Sequence, residues 1–179
     1  RRVLFRSTAD TTTAPDGTTT ADTLTAGANV LGSLSQVIST TANIYYTFSF
    51  YVKAGNITSF DAGGTNQGII SFKTRFDLTA VTATILSGGG TSTITPVGNG
   101  WFRCVISRLF TAGNVNDLVT IFPGPNGAIV NGSYIYLWGA QVETGTVASA
   151  YSAATSAAVS TNNQILASDG IVAAPAYSF

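Results

Sequence analysis

The sequence predicts an all-β protein whose antiparallel strands form two sheets packed face to face, and three observations carry that prediction. Only 9% of the 179 residues are charged, against about 25% in an ordinary globular chain. Their place is taken by 27 Thr and 19 Gly, residues that respectively favour extended backbone and supply the positive-φ positions of turns. The apolar residues, 45% of the chain, recur at every second position in short runs bounded by Gly, Asn, Asp and Pro, and no run has the 3.6-residue period of an amphipathic helix.

Taken in order, the first strands are short and weakly patterned: Thr23 to Thr25 and Leu34 to Ile38. Ile44 to Lys53 is the clearest. Ile44, Tyr46, Phe48, Phe50 and Val52 fall on one face, expected to be core, and Tyr45, Thr47, Ser49, Tyr51 and Lys53 fall on the other. Gly68 to Phe76 repeats the device, with Ile70, Phe72 and Phe76 inward and Ser71, Lys73 and Arg75 outward. Asp77-Leu78-Thr79 turns the chain into Ala80 to Leu86, and Gly88-Gly89-Gly90 ends that strand as a hairpin connection. Ser92 to Val97 follows. Gly98-Asn99-Gly100 forms a tight turn into Trp101 to Phe110, where Phe102, Cys104, Ile106 and Phe110 share a face. Leu118 to Phe122 and Tyr134 to Glu143 bring the count to eight or nine. Strands apolar on one face alone must bury it against a second layer, so a pair of sheets is the expected solution. Alternation does not separate a jelly roll from an immunoglobulin-like sandwich, although the lack of a Cys-Trp-Cys arrangement argues against a true immunoglobulin domain.

Composition also divides the chain. Residues 1–7 hold three Arg, resemble a translated sequencing adapter and are excluded from fold reasoning. Residues 8–20 form a polar lead-in with a Pro15-Asp16-Gly17 turn, residues 21–151 the folded domain, and residues 152–179 a low-complexity Ala, Ser and Thr linker broken at Pro175. With no Met in the sequence, the chain reads as a fragment whose linker enters a further module.

Absences narrow the function. There is no His, which removes the commonest general base and zinc ligand. The single Cys, Cys104, forms neither an internal disulfide nor a CxxC site. Without the heptapeptide, five basic residues face eight acidic ones, so a nucleic-acid surface is not expected. No apolar run reaches the roughly 18 residues of a membrane helix, so membrane insertion is not expected either.

Four segments carry a family resemblance: Ala14-Pro15-Asp16-Gly17 with Ala21-Asp22-Thr23-Leu24-Thr25; Tyr46-Thr47-Phe48-Ser49-Phe50-Tyr51-Val52-Lys53-Ala54-Gly55; Gly98-Asn99-Gly100-Trp101-Phe102-Arg103-Cys104; and Ile135-Tyr136-Leu137-Trp138-Gly139-Ala140-Gln141-Val142-Glu143 followed by Ala148-Ser149-Ala150-Tyr151. Together they resemble a jelly-roll module common in bacteriophage tail fibres and other virion structural proteins, itself similar to carbohydrate-binding modules. The closing Ala173-Ala174-Pro175-Ala176-Tyr177-Ser178-Phe179 resembles the opening of a repeat found further along such fibres. The resemblance implies a jelly-roll β-sandwich on a virion, a homotrimeric fibre, attachment to a bacterial surface polysaccharide, and no enzymatic activity. It names no sugar.

A sugar site needs planar aromatics for stacking, ringed by hydrogen-bonding groups. The outward candidates are Tyr45, Tyr51, Lys73, Arg75, Arg103 and Gln141, with Trp101 at the mouth of a turn. Outward Tyr is more often a cross-strand packing partner, paired cations often protect an edge, and Trp138 reads as core. Asp61, Asp77, Asp117 and Glu143 show neither the spacing of a glycosidase pair nor that of a calcium loop, so no cofactor is expected and a structural calcium has no support. Gly88-Gly89-Gly90 lacks the Lys and helix of a phosphate loop. Asn56-Ile57-Thr58 and Asn131-Gly132-Ser133 match the glycosylation triplet but read as turns. Two other functions fit the same sequence: a ligand-free spacer or trimerisation unit of the fibre, and a carbohydrate-binding module appended to a secreted bacterial glycoside hydrolase.

Overall fold

The computed structural model describes residues 6–27, 33–66, 69–113, 117–125, 128–152 and 164–166. They contain twelve strands: β1 (Arg6–Thr12), β2 (Ala21–Thr25), β3 (Leu34–Ile38), β4 (Ile44–Ala54), β5 (Ser59–Asn66), β6 (Ile69–Asp77), β7 (Thr82–Ser87), β8 (Thr91–Gly98), β9 (Trp101–Phe110), β10 (Asp117–Phe122), β11 (Tyr134–Thr144) and β12 (Gln164–Leu166). No helix occurs among the described residues.

All pairings are antiparallel. One sheet has seven strands, in the order β1-β2-β11-β4-β9-β8 with β12 beside β11, and the other has five, in the order β3-β10-β5-β6-β7. Within them, β2-β11-β4-β9 faces β3-β10-β5-β6. Numbered by their own sequence, those eight strands run 1-8-3-6 and 2-7-4-5, the double Greek-key wrap of a jelly roll. The expected fold class is therefore observed, and β7 and β8 extend one sheet each.

Between the sheets lies a single aromatic-rich core. Phe50 on β4 is fully buried and meets Phe60 of β5 at 6.2 Å and Phe76 of β6 at 5.9 Å, both edge-on. Phe60 and Phe76 stack at 5.3 Å. Phe48, Val52, Cys104, Ile106, Val119, Ile121, Ile135 and Leu137 complete the layer. The core set expected from β4 is buried except for Ile44, which is exposed at the strand's first position. Ile70, also expected inward, has a side chain outside the described residues.

Five differences from the expected layout stand out. The central strand β5, absent from the expected set, carries Gly63-Gly64 at its middle. In place, these glycines are where neighbouring strands close in: a Cβ on Gly64 would lie 2.4 Å from the Leu118 carbonyl and from the Phe72 ring, beside a register shift. The lead-in is not outside the fold, since β1 pairs with β2 and Arg6 and Ser7 are already in register with Thr25 and Leu24. Gly88-Gly89-Gly90 is not a hairpin, because β7 pairs with β6 and β8 with β9; the three positive-φ glycines carry the chain from one sheet to the other. Finally, Gln164–Leu166 of the expected linker pairs with Gln141–Glu143 of β11, and beyond Ser152 the rest of that linker lies outside the described residues. The turn after β6 is also longer than expected, and β7 begins at Thr82.

A bulge in β11 sets up the outer face. Trp138 pairs with Tyr51 but Gln141 with Ser49, so β11 spends one extra residue there, at Gly139 with φ 58°. Before the bulge Ile135 and Leu137 face the core; after it Val142 does, while Trp138, Gln141 and Glu143 turn to the opposite face. There Trp101, Trp138, Ala14 and Ala21 form a second buried cluster, packed by Tyr51, Tyr136 and Tyr151.

Candidate functional site

Strand pairing arranges the outer face of the seven-stranded sheet in rows. Reading across β8, β9, β4 and β11, the rows are Thr91, Ser107, Thr47, Glu143; Thr93, Val105, Ser49, Gln141; and Thr95, Arg103, Tyr51, Trp138. The β8 threonines are presented because Asn99-Gly100, both at positive φ, closes a two-residue hairpin whose twist matches the flanking strands. Residues 145–151 run back over this face as a strap. The Gly145 amide donates to the Tyr45 carbonyl at 2.8 Å and the Thr47 hydroxyl to the Gly145 carbonyl at 2.8 Å. Ser149 is the clasp: its amide donates to Glu143 Oε2 at 3.0 Å, and its carbonyl accepts from Arg103 Nη2 and, at 3.4 Å, from Gln141 Nε2. Tyr151 closes the strap on Trp138, with ring centroids 4.3 Å apart.

The strap covers the middle of the sheet and leaves a groove beside it. This groove, of about 500 Å³, is lined by Thr91, Thr93 and Thr95 of β8, Arg103, Val105 and Ser107 of β9, Tyr51, and Thr146 to Ala148 of the strap, with Val97 at the turn. Its volume lies within the range of small-ligand sites. Arg103 is the charged side chain among these lining residues. Its guanidinium carbon stands 5.6 Å from the centre of the Tyr51 ring.

Of the residues predicted from sequence, Tyr51 and Arg103 come together here. Two others are corrections. Trp101 is 1% exposed and its Nε1 donates to the Thr13 carbonyl at 3.0 Å. Gln141 is 2% exposed, bonded through Nε2 to Glu143 Oε2 at 2.8 Å. Both point outward from the sheet as expected, but the lead-in and the strap cover them, so neither meets solvent. Tyr45 is 42% exposed on the same face, six residues from Tyr51 and so about 20 Å along the strand, at the far end from Arg103.

Lys73 and Arg75 do not join this group, because they occupy the outer face of the five-stranded sheet, on the other side of the sandwich. Arg75 is held in a bidentate pair with the fully buried Asp61, at 2.8 and 3.2 Å, which raises its pKa above the ordinary guanidinium value. Asp77 caps its own turn, accepting from the Thr79 and Ala80 amides at 2.8 Å. Asp117 is buried at the start of β10 and accepts from the Thr40 hydroxyl. It faces Arg108, an inward cation whose pKa burial lowers while the charge of Asp117 opposes the shift. Arg108 lies 5.1 Å over the Phe72 ring and donates to the Ser71 carbonyl at 2.6 Å. No three His, Cys, Asp or Glu side chains among the described residues are grouped to hold a metal ion. No helix among them is long and apolar enough to cross a membrane. The Asn56 side chain is occupied, donating to the Gly132 carbonyl at 2.9 Å and accepting from the Tyr134 amide at 2.7 Å, so the turns that hold the two glycosylation-like triplets lie against each other.

Sequence reasoning missed Thr91, Thr93 and Thr95. The signal was present in part: alternate threonines precede a Gly-Asn-Gly turn, but Thr95 stands opposite Arg103 only because β8 carries one extra residue between Pro96 and Gly98. A scan against protein-family models and a search of curated proteins both find no match to the chain.

Proposed function

We propose that this protein is a non-enzymatic binding module of a phage tail fibre, and that it holds bacterial surface glycans in the groove on the outer face of the seven-stranded sheet. The observation that carries this reading is the groove itself. Three exposed threonine hydroxyls lie in line on one strand, opposite a guanidinium and beside a tyrosine ring. Hydroxyls in a fixed row can donate to and accept from the hydroxyls of a sugar chain, and the apolar wall of Val97, Val105 and Val147 suits the C–H face of a pyranose ring. The residue complement favours recognition over chemistry, since Glu143, the carboxylate of this face, is buried and bonded to Gln141 and to the strap. A site of this size holds a few sugar units with modest affinity, and several copies on a trimeric fibre convert that into avidity.

The test is binding of the whole chain to an array of bacterial polysaccharides, compared with Thr91→Val, Thr93→Val and Thr95→Val combined. Valine keeps the β-branched shape and removes the three hydroxyls. The expected result is loss of binding in the triple variant and retention in Lys73→Ala, which lies on the opposite face. Equal binding by the triple variant and the parent refutes the groove as the site. Absence of any glycan ligand together with a stable trimer would favour the ligand-free spacer instead.

A further inference from the structure

We infer that the groove is selective for acidic glycans, polysaccharides carrying sugar carboxylates, which dock a carboxylate on Arg103; this inference rests on the glycan-binding reading above. Three observations point to a negatively charged group. First, the lining contains a cation and no carboxylate, and Lys53 stands in the next row of β4, its aliphatic stem along Gly100 at the same end. Second, the acidic side chains among the described residues do not line the groove: Asp22, Asp61, Asp117 and Glu143 are buried, Asp10 lies on β1 at the far edge of the sheet, Asp77 belongs to the other sheet, and Asp16 in the lead-in is bonded to Thr18. Third, the guanidinium is only partly used. Arg103 Nη2 serves the Ser149 carbonyl and reaches Ser49 Oγ at 3.5 Å, Nε is buried with no partner, and Nη1 has no hydrogen bond among the described residues.

Arg75 shows the alternative in the same molecule, its fork closed on both oxygens of Asp61. No ion pair closes Arg103 among the described residues, and with Nε buried and Nη2 on Ser149, it is Nη1 that offers a charged donor to a sugar carboxylate. Thr95, directly opposite Arg103, supplies a hydroxyl to the ring that carries the carboxylate, and Tyr51 forms the base beneath the guanidinium. A charge-assisted contact of this kind is worth about tenfold or more in affinity, and its exposure to solvent makes it sensitive to salt.

The experiment compares binding of polygalacturonate, alginate and polysialic acid with carboxyl-reduced polygalacturonate, dextran and dextran sulfate, by calorimetry on the whole chain at two ionic strengths. Acidic polymers are expected to bind about tenfold or more tightly than the reduced polymer, and more weakly at high salt. Arg103→Gln should abolish that preference. Because Arg103 also holds the strap, Thr95→Glu is the companion variant: it sits on an exposed edge position, leaves the strap alone, and places an internal carboxylate where the sugar acid would dock. Loss of acidic binding in both variants, with Lys73→Gln unchanged, supports the inference. Equal affinity for polygalacturonate and its reduced form, or equal binding of dextran sulfate and the carboxylate polymers, overturns it. Binding of neutral glycans that the threonine-to-valine triple variant abolishes, with no acid preference, overturns the acid selectivity while the groove stands. No binding to any polymer removes both.

Discussion

Replacing Trp138 with alanine tests whether the outer face is held by a second core or is merely covered. The indole is 5% exposed, packs against Tyr51 at 5.2 Å and Tyr151 at 4.3 Å, and donates from Nε1 to the Thr20 hydroxyl at 3.0 Å. Removing a buried aromatic side chain costs about 3–5 kcal/mol. The hydrogen bond accounts for about 1 kcal/mol of that, and Thr20, partly exposed, recovers a partner from water. In a domain of this length the loss corresponds to a fall of about 10 °C in melting temperature. Urea titration followed by circular dichroism gives the global number, and amide exchange gives its location. Residues 13–21 and 145–151 should lose protection first, because the lead-in and the strap both rest on this ring, whereas Phe50, Phe60 and Phe76 belong to the other core. A cost below about 1 kcal/mol, or exchange unchanged in those two segments, would refute the argument.

Other perturbations follow from the same geometry. Asp61→Asn strands Arg75 without its counter-ion, but the arginine side chain is 39% exposed and turns to water, so the expected cost is about 1–3 kcal/mol by urea titration, below that of a fully buried pair. Gly139→Ala puts a Cβ 3.1 Å from both the Tyr51 and Tyr151 rings at a positive φ, and should cost about 1–2 kcal/mol for the backbone alone, with further loss read as raised exchange in the strap. Burial pushes the Cys104 thiol well above its ordinary value of 9.0. The folded state then retains the proton that the unfolded chain releases, so stability is full below pH 9.0 and falls above it by up to about 1.4 kcal/mol per pH unit. Cys104→Ala should flatten that alkaline limb of a stability-against-pH curve, and the native thiol should resist alkylation until the chain is unfolded.

Much of the sandwich was legible because a half-buried strand writes its environment in alternate letters. Tyr46, Phe48, Phe50 and Val52 did so, and all four are buried. The pattern fails where both faces of a strand are covered or where backbones touch. On β5, Asp61 is buried on the outer face and Gly63 and Gly64 are small so that adjacent strands fit, and neither fact resembles alternation. The candidate site divides along the same line. Tyr51 and Arg103 face outward and stand together, but nothing local to Trp101 announces that Thr13, 88 residues before it, closes over it, nor does β11 announce that the chain after it folds back to set Ser149 over Gln141. Lys73 and Arg75 were read correctly as sharing a face; which of the two outer faces that is depends on the Greek-key winding, a property of the whole chain rather than of the segment.

The threonine row sits on the border of its sheet, paired on one side only, with all three residues exposed. Exchanges at such positions typically change stability by no more than about 0.5 kcal/mol. The three hydroxyls can therefore be exchanged with little effect on the layers beneath them, so that what this edge presents to its surroundings is set separately from the architecture that carries it.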